Sequence, residues 1–260
     1  MKKNRNIVLI TGGAGFIGAA VSEEMAQLNS DLILVDINKK NLDALKKKLC
    51  SKYDCKVDIF NCDMSNTNEL SSLVSKISNK YKRIDTIINS VGMVGTDKMK
   101  GWNTDFDNQD IEAWQKCLDI NLSSIFFLIQ KLYKKMHKSD NASIVNISSI
   151  YGVSAPDWEL YKGTNINNPG AYSVSKAGVV HMTKWLASTL SPKIRVNCVS
   201  PGGVYRKQSE KFVKKYESRT LLKRMATEKD IVGPVVFLSS SSASYITGEN
   251  LIVDGGWTIK

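Results

Sequence analysis

The sequence predicts an α/β fold: a Rossmann-type, doubly wound parallel sheet of about seven strands in a single domain. Three observations carry this. Short runs rich in Ile, Val and Leu recur along the chain with helical patterns between them, the first run ends in a glycine-rich turn, and the second ends in a carboxylate. Strands buried on both faces read as continuous apolar runs, and their alternation with helices marks a parallel sheet covered on both sides.

The runs are NIVLI (6–10), DLILVD (31–36), KVDIF (56–60), DTIIN (85–89), SIVNIS (143–148), IRVNCV (194–199) and NLIVD (250–254). A long helix from Ile111 to His137 separates the fourth from the fifth, and a second from Ala171 to Leu190 follows the fifth. Both are apolar on more than one face, so each must bury more than one side. They are therefore candidates for a subunit interface as well as for the core. Ligands of such sheets bind beyond the carboxyl ends of the strands. With 260 residues and no low-complexity tract, repeat or linker, the chain reads as one domain spanning 1–260.

Composition narrows the function classes. Hydrophobic residues make up 42% and charged residues 23%, as in ordinary globular chains. The apolar run behind the basic start MKKNRN is too short for a signal-peptide core, and no run is long enough to cross a bilayer. The five cysteines include no CxxC pair, and only His137 and His181 accompany them. They read as reduced thiols of a cytoplasmic protein with no metal site. The net charge of +11 raises nucleic acid as a partner, but 30 of the 36 basic residues are lysines scattered over exposed-looking helix faces. No nucleic-acid surface is predicted; only Arg206 to Arg224 is concentrated.

The first strand ends in TGGAGFIG, Thr11 to Gly18. Its Gly13, Gly15 and Gly18 fit the GxGxxG pattern, which lets a pyrophosphate approach backbone N–H groups at a helix N-terminus. Asp36 ends the next strand 18 residues after Gly18, close to the ~20-residue offset of an acid that receives ribose hydroxyls. A carboxylate there repels a 2′-phosphate, which favours NAD over NADP, although Lys39 and Lys40 lie nearby. Among the tyrosines only Tyr172 has a lysine four residues on, in YSVSK. Helical spacing puts Lys176 on the same face, where an ammonium favours the phenolate that a tyrosine needs in order to exchange protons near neutral pH.

These motifs resemble, in order and over essentially the whole chain, the short-chain dehydrogenase/reductase family: TGGAGFIG, CDMS, NSVG (89–92), DINL, NISS, YSVSK, RVNCVSPGG (195–203) and ITGENLIVDGG (246–256). The resemblance implies an NAD(H)-dependent oxidoreductase interconverting a secondary alcohol and a ketone. It implies Tyr172 as acid/base, Lys176 as the group that tunes it and holds ribose hydroxyls, Ser149 against the reacting oxygen, and Asn121 organising a water that links Lys176 to solvent. Gly12, Gly15, Phe16, Ile17, Gly18, Asp36, Asp63, Met64, Asn89, Gly92, Pro201, Gly202 and Val204, with Tyr172 and Lys176, would meet the cofactor. A homotetramer or homodimer follows from the same likeness.

Three features depart from the single-domain pattern of that family. Phe16 replaces the middle glycine of the first turn, which looks more like the branch acting on nucleotide sugars. Ser149 and Tyr172 are 23 residues apart, a gap widened by an insertion at about 153–169 whose Trp158 and Tyr161 either offer flat faces for a sugar ring or pack against protein in a lid or interface loop. Arg206 stands where a threonine contacting the nicotinamide carboxamide is usual. It opens the segment at about 204–224, which resembles the substrate loop, and offers either an anion clamp or a surface ion pair. Within the family the likeness points to bacterial surface-sugar enzymes making nonulosonic-acid-type precursors. The rivals are a lipid-pathway ketoreductase acting on acyl carriers and a non-catalytic NAD-binding regulatory protein.

Overall fold

The computed structural model describes residues 5–95, 97–164 and 166–260. Seven strands, β1 (Ile7–Thr11), β2 (Asp31–Asp36), β3 (Val57–Asn61), β4 (Thr86–Asn89), β5 (Ala142–Ile147), β6 (Ile194–Pro201) and β7 (Asn250–Val253), form one parallel sheet in the order β3-β2-β1-β4-β5-β6-β7. Each strand lies within about two residues of the apolar run that predicts it. The order reverses between β1 and β4, so a cleft opens at their carboxyl ends, where Thr11 pairs with Asn89.

Side chains alternate across each strand, and the two resulting faces define two cores. Leu9, Ile33, Ile87, Ile144 and Val196 pack with α3 (Thr67–Lys80), α5 (Ser124–Met136) and α6 (Gly170–Leu190). Val8, Ile10, Leu32, Leu34, Ile88 and Val145 pack on the other side with α1 (Phe16–Gln27), α2 (Lys39–Lys52) and α8 (Glu228–Ser239). The helix starts follow from their caps: Asn38 accepts from Asn41 N, Asn66 from Glu69 N, and Thr227 forms a capping box with Asp230.

The long helix expected over 111–137 is interrupted. α4 (Ile111–Leu118) passes into a π-helical turn, Asp119–Ser123, before α5. Such turns often mark functional sites, and this one carries the buried Asn121. The segment at 204–224 is not an open loop. It contains α7 (Glu210–Arg219), capped by Ser209, with Phe212 and Tyr216 turned inward.

Candidate active site

The glycine turn packs at the reversal point of the sheet. Gly12 adopts φ +63 and lies so close to the loop after β4 that a Cβ would stand 2.7 Å from Val91 N. At Gly18 a Cβ would stand 2.0 Å from Gly12 O. Nothing larger fits at either position. Gly15 caps α1 without a side-chain hydrogen bond, and Phe16 and Ile17 begin its first turn. The N–H groups of that turn face the cleft with no side chain to satisfy them. Asp36 closes the far side, its carboxylate accepting from Ala14 N at 3.0 Å and Asn38 N at 2.9 Å. It thus holds the turn and presents an anion at the same time. A glycine cradle, an uncapped helix start and a fixed carboxylate fit a dinucleotide.

Other predicted residues share this edge. Asp63 accepts from Ser65 N and Oγ, and Met64 beside it is buried. Asn89, fully buried, accepts from Thr11 Oγ1 and donates to Asn146 Oδ1 at 2.8 Å, which locks β1, β4 and β5 together. Gly92 faces the catalytic side: a Cβ there would stand 3.3 Å from Lys176 Nζ and 3.6 Å from Asn121 Oδ1. Pro201 ends β6, Gly202 N donates to Val253 O, and Val204 pairs with Ala226.

Ser149, Tyr172, Lys176 and Asn121 converge. Ser149 leaves β5 in extended geometry, its hydroxyl accepting from Tyr151 N. Tyr172 lies in the first turn of α6, with Lys176 Nζ 5.8 Å from its ring centroid. Lys176 donates to Ile147 O at 2.9 Å, and Ser148 Oγ ties Lys176 O to the end of β5. Asn121 accepts from Met93 N at 2.6 Å and donates to Met93 O and to Ser175 Oγ. The π turn gives the amide room to reach both a loop and α6.

Burial sets the proton affinities. It pushes the Tyr172 phenol up from its ordinary value, while Ser149 pulls it back. It pushes the Lys176 ammonium down to about 8. Buried Cys117 and Cys198 are raised to about 11 and about 12, so both remain thiols beside the lysine.

The insertion does not stand open. Tyr161 packs its ring on Phe212 of α7 at 5.9 Å between centroids and shares a 2.6 Å hydrogen bond with the Tyr151 hydroxyl. Asp157 pairs with Arg219 at 2.7 Å, and Lys215 Nζ donates to the carbonyls of Glu159 and Lys162. Tyr161 therefore packs against protein, while Trp158, 55% exposed, lies 5.9 Å from the Tyr161 ring between centroids. Arg206 pairs with Glu228 and lies over the Phe16 ring.

The sequence reading missed Tyr151, Tyr216 and Trp257: Tyr216 meets Phe212 with tilted rings, Trp257 stacks on Tyr216, and Tyr151 meets Trp257 edge-on. The single legible signal was Tyr151, two residues after Ser149. Trp257 Nε1 is buried with no partner among the described residues. Among those residues no helix is long and apolar enough to cross a membrane, and no group of three or more His, Cys, Asp or Glu could hold a metal.

Comparison with known proteins adds the relatives. Residues 13–258 match the family model described as enoyl-(acyl carrier protein) reductase. The chain is 33% identical over 252 residues to post-translational flagellin modification protein A of Campylobacter coli, covering 96% of this chain and 97% of that one. It is 32% identical over 266 residues to 3-oxoacyl-(acyl-carrier-protein) reductase FabG of Thermotoga maritima, covering all of both. The crystal structure of a short-chain dehydrogenase from Leptospira borgpetersenii with bound NAD+ superposes with a TM-score of 0.84 at 34% identity, covering 99% of this chain and 97% of that one.

Proposed function

The chain belongs to the short-chain dehydrogenase/reductase family, and from that premise we propose an NAD(H)-dependent enzyme that interconverts a secondary alcohol and a ketone on a polar, sugar-derived substrate. The observation that carries the chemistry is the convergence of Ser149, Tyr172 and Lys176 where β5 and α6 meet. The bound dinucleotide supplies or accepts the hydride. The rest falls to this chain's own groups. Ser149 donates to the substrate oxygen and Tyr172 moves its proton. Lys176 stabilises the phenolate, and Asn121, anchored to Met93, orders a water beside the lysine. Gly12, Gly15, Phe16, Ile17 and Gly18 would hold the pyrophosphate, and Asp36 the adenosine ribose. Asp63 and Met64 would meet the adenine, Asn89 and Gly92 the ribose attached to it, and Pro201, Gly202 and Val204 the nicotinamide.

Preference for NAD rests on Asp36, whose charge a 2′-phosphate would have to face. NADH binding more tightly than NADPH in a fluorescence titration is the expected result; the reverse order would discard the assignment.

The sugar reading rests on the wall over the reacting centre. Tyr151 and Tyr161 spend one O–H on each other, which leaves the second free to donate. Burial raises both phenols, Tyr161 to about 12. They are neutral hydrogen-bonding groups near the chemistry, suited to a substrate hydroxyl. Likeness to the flagellin modification protein supports a place in making nonulosonic-acid-type precursors. A second reading, reduction of 3-oxoacyl carriers, draws on the equally complete match to the acyl-carrier reductase. Turnover of keto sugars, sugar phosphates and nucleotide sugars against an acetoacetyl thioester separates them: activity confined to the thioester rejects the sugar.

The chain is further inferred to form a homotetramer or homodimer through α5 and α6, which leave Phe126 and Trp185 exposed in contact with each other at 6.2 Å.

A further inference from the structure

Arg206 lies against the first residue of the helix that follows the glycine turn. Its guanidinium carbon is 4.2 Å from the centroid of the Phe16 ring, and Phe16 is the first residue of α1. A helix N-terminus carries about half a positive charge, so a second cation there is repelled unless anions join it. Glu228 supplies one negative charge through its ion pair with Arg206. That carboxylate also sits in the first turn of α8, whose own N-terminus draws on it. Asp36, which accepts from Ala14 N in the glycine turn, supplies another. The guanidinium also lies at the rim of a glycine cradle that no side chain can fill.

The backbone that carries the guanidinium is pinned. Tyr205 N donates to Ala226 O at 2.8 Å, Arg206 N donates to Gln208 Oε1 at 2.6 Å, and Gln208 Nε2 returns to Val204 O at 3.0 Å. Lys207, with φ +60, turns the chain away immediately afterwards. This fixes where the side chain leaves the main chain, and the guanidinium, which also donates to Tyr205 O, rests over the Phe16 ring.

We propose that Arg206 is a coenzyme-binding residue that grips the pyrophosphate of the dinucleotide, exchanging Glu228 for phosphate oxygens when the coenzyme arrives. The proposal rests on the reading that the glycine turn takes a dinucleotide. Arginine's planar fork matches two phosphate oxygens at once, and a guanidinium near a helix start favours phosphate charge. Phe16, which departs from glycine at this position, acquires a purpose by the same geometry. The substrate is then free of any need to be anionic.

Calorimetric titration of NADH and of ADP-ribose into the wild type, R206A, R206K and E228Q tests this. R206A is expected to weaken both compounds by the same factor, about tenfold or more, the order of a lost charge-assisted contact. R206K keeps the charge without the fork and is expected to fall between. E228Q removes the competing anion and is expected to tighten both by about threefold. R206K and E228Q keep the proposal falsifiable should R206A fail to fold. Unchanged dissociation constants in R206A with a raised KM for substrate would overturn it in favour of a substrate clamp. Weakened NADH with unchanged ADP-ribose would overturn it in favour of a nicotinamide contact. A wild type that binds neither compound rejects the dinucleotide reading itself, and this proposal with it.

Discussion

Tyr172 and Lys176 are one helical turn apart, and burial drives each toward its uncharged form. A phenol held protonated by burial needs partners for its anion, and Ser149 and Lys176 are the groups in place. Tyr172→Phe keeps the packing and removes the proton donor. NADH affinity is expected to stay unchanged while turnover falls about a thousandfold, within the range of general acid–base catalysis; substantial residual turnover would reject the role. The lysine gives a pH signature of its own. Its folded value, about 8, lies below its ordinary 10.5, so between those limits the unfolded chain binds more protons than the folded one. Stability therefore rises with pH across that window, and below about 8 the cost of charging the buried amine is present in full. Urea unfolding is expected to show this rise in the wild type and not in Lys176→Met, which keeps the stem and lacks the charge. Parallel pH profiles for the two proteins would show that the lysine is not responsible.

The insertion and α7 act as one braced element, since Asp157–Arg219, the Lys215 contacts and the Tyr161–Phe212 packing all join them. This separates two aromatics that look alike in the sequence. Tyr161 is structural packing with a polar tip, so Tyr161→Ala is expected to lower stability by about 2 kcal/mol, near the low end of buried large-to-small truncations. Trp158→Ala is expected to cost little stability and to raise the substrate KM several-fold with NADH affinity unchanged. If thermal melts and steady-state kinetics show NADH affinity moving together with KM, the loop is architecture rather than a substrate wall. Why one distinction was legible and the other was not is a matter of range. The seven strands, the glycine turn and the Tyr172–Lys176 spacing are local patterns, imposed by two-sided burial and by helical geometry, and the sequence shows them directly. The ring series from Tyr161 through Phe212 and Tyr216 to Trp257 joins three segments with no shared period. Arg206 read as a cation at the rim, but its partners, Phe16 and Glu228, come from α1 and α8. The π turn that frees Asn121 is set by contacts to Met93 and Ser175, which no helical pattern in α4 or α5 announces.

At the scale of the whole molecule, the unbalanced surface lies on α5 and α6, on the side of the sheet opposite α1. Trp185 is 51% exposed, and its ring meets Phe126 beside a groove of about 660 Å³ that Leu122, Phe127 and Met182 also line. An apolar groove of this kind, closed on a third side by Met64, Thr67 and Leu70, is costly to leave in water, as expected of a subunit contact. Two copies related by a two-fold axis would set α5 and α6 of one against the same helices of the other, because a two-fold interface uses the same patch on both partners. Trp185→Glu places a charge in that contact, where a buried unpaired carboxylate costs several kcal/mol, while the sheet core on the inner side of α6 is untouched. Sedimentation velocity is expected to show the wild type as a tetramer or dimer and Trp185→Glu as a smaller species with an unchanged far-ultraviolet dichroism spectrum. α6 also carries Tyr172 and Lys176 on its first turns, so loss of the partner is expected to lower turnover more than NADH affinity. An unchanged sedimentation coefficient in the variant would place any subunit contact elsewhere.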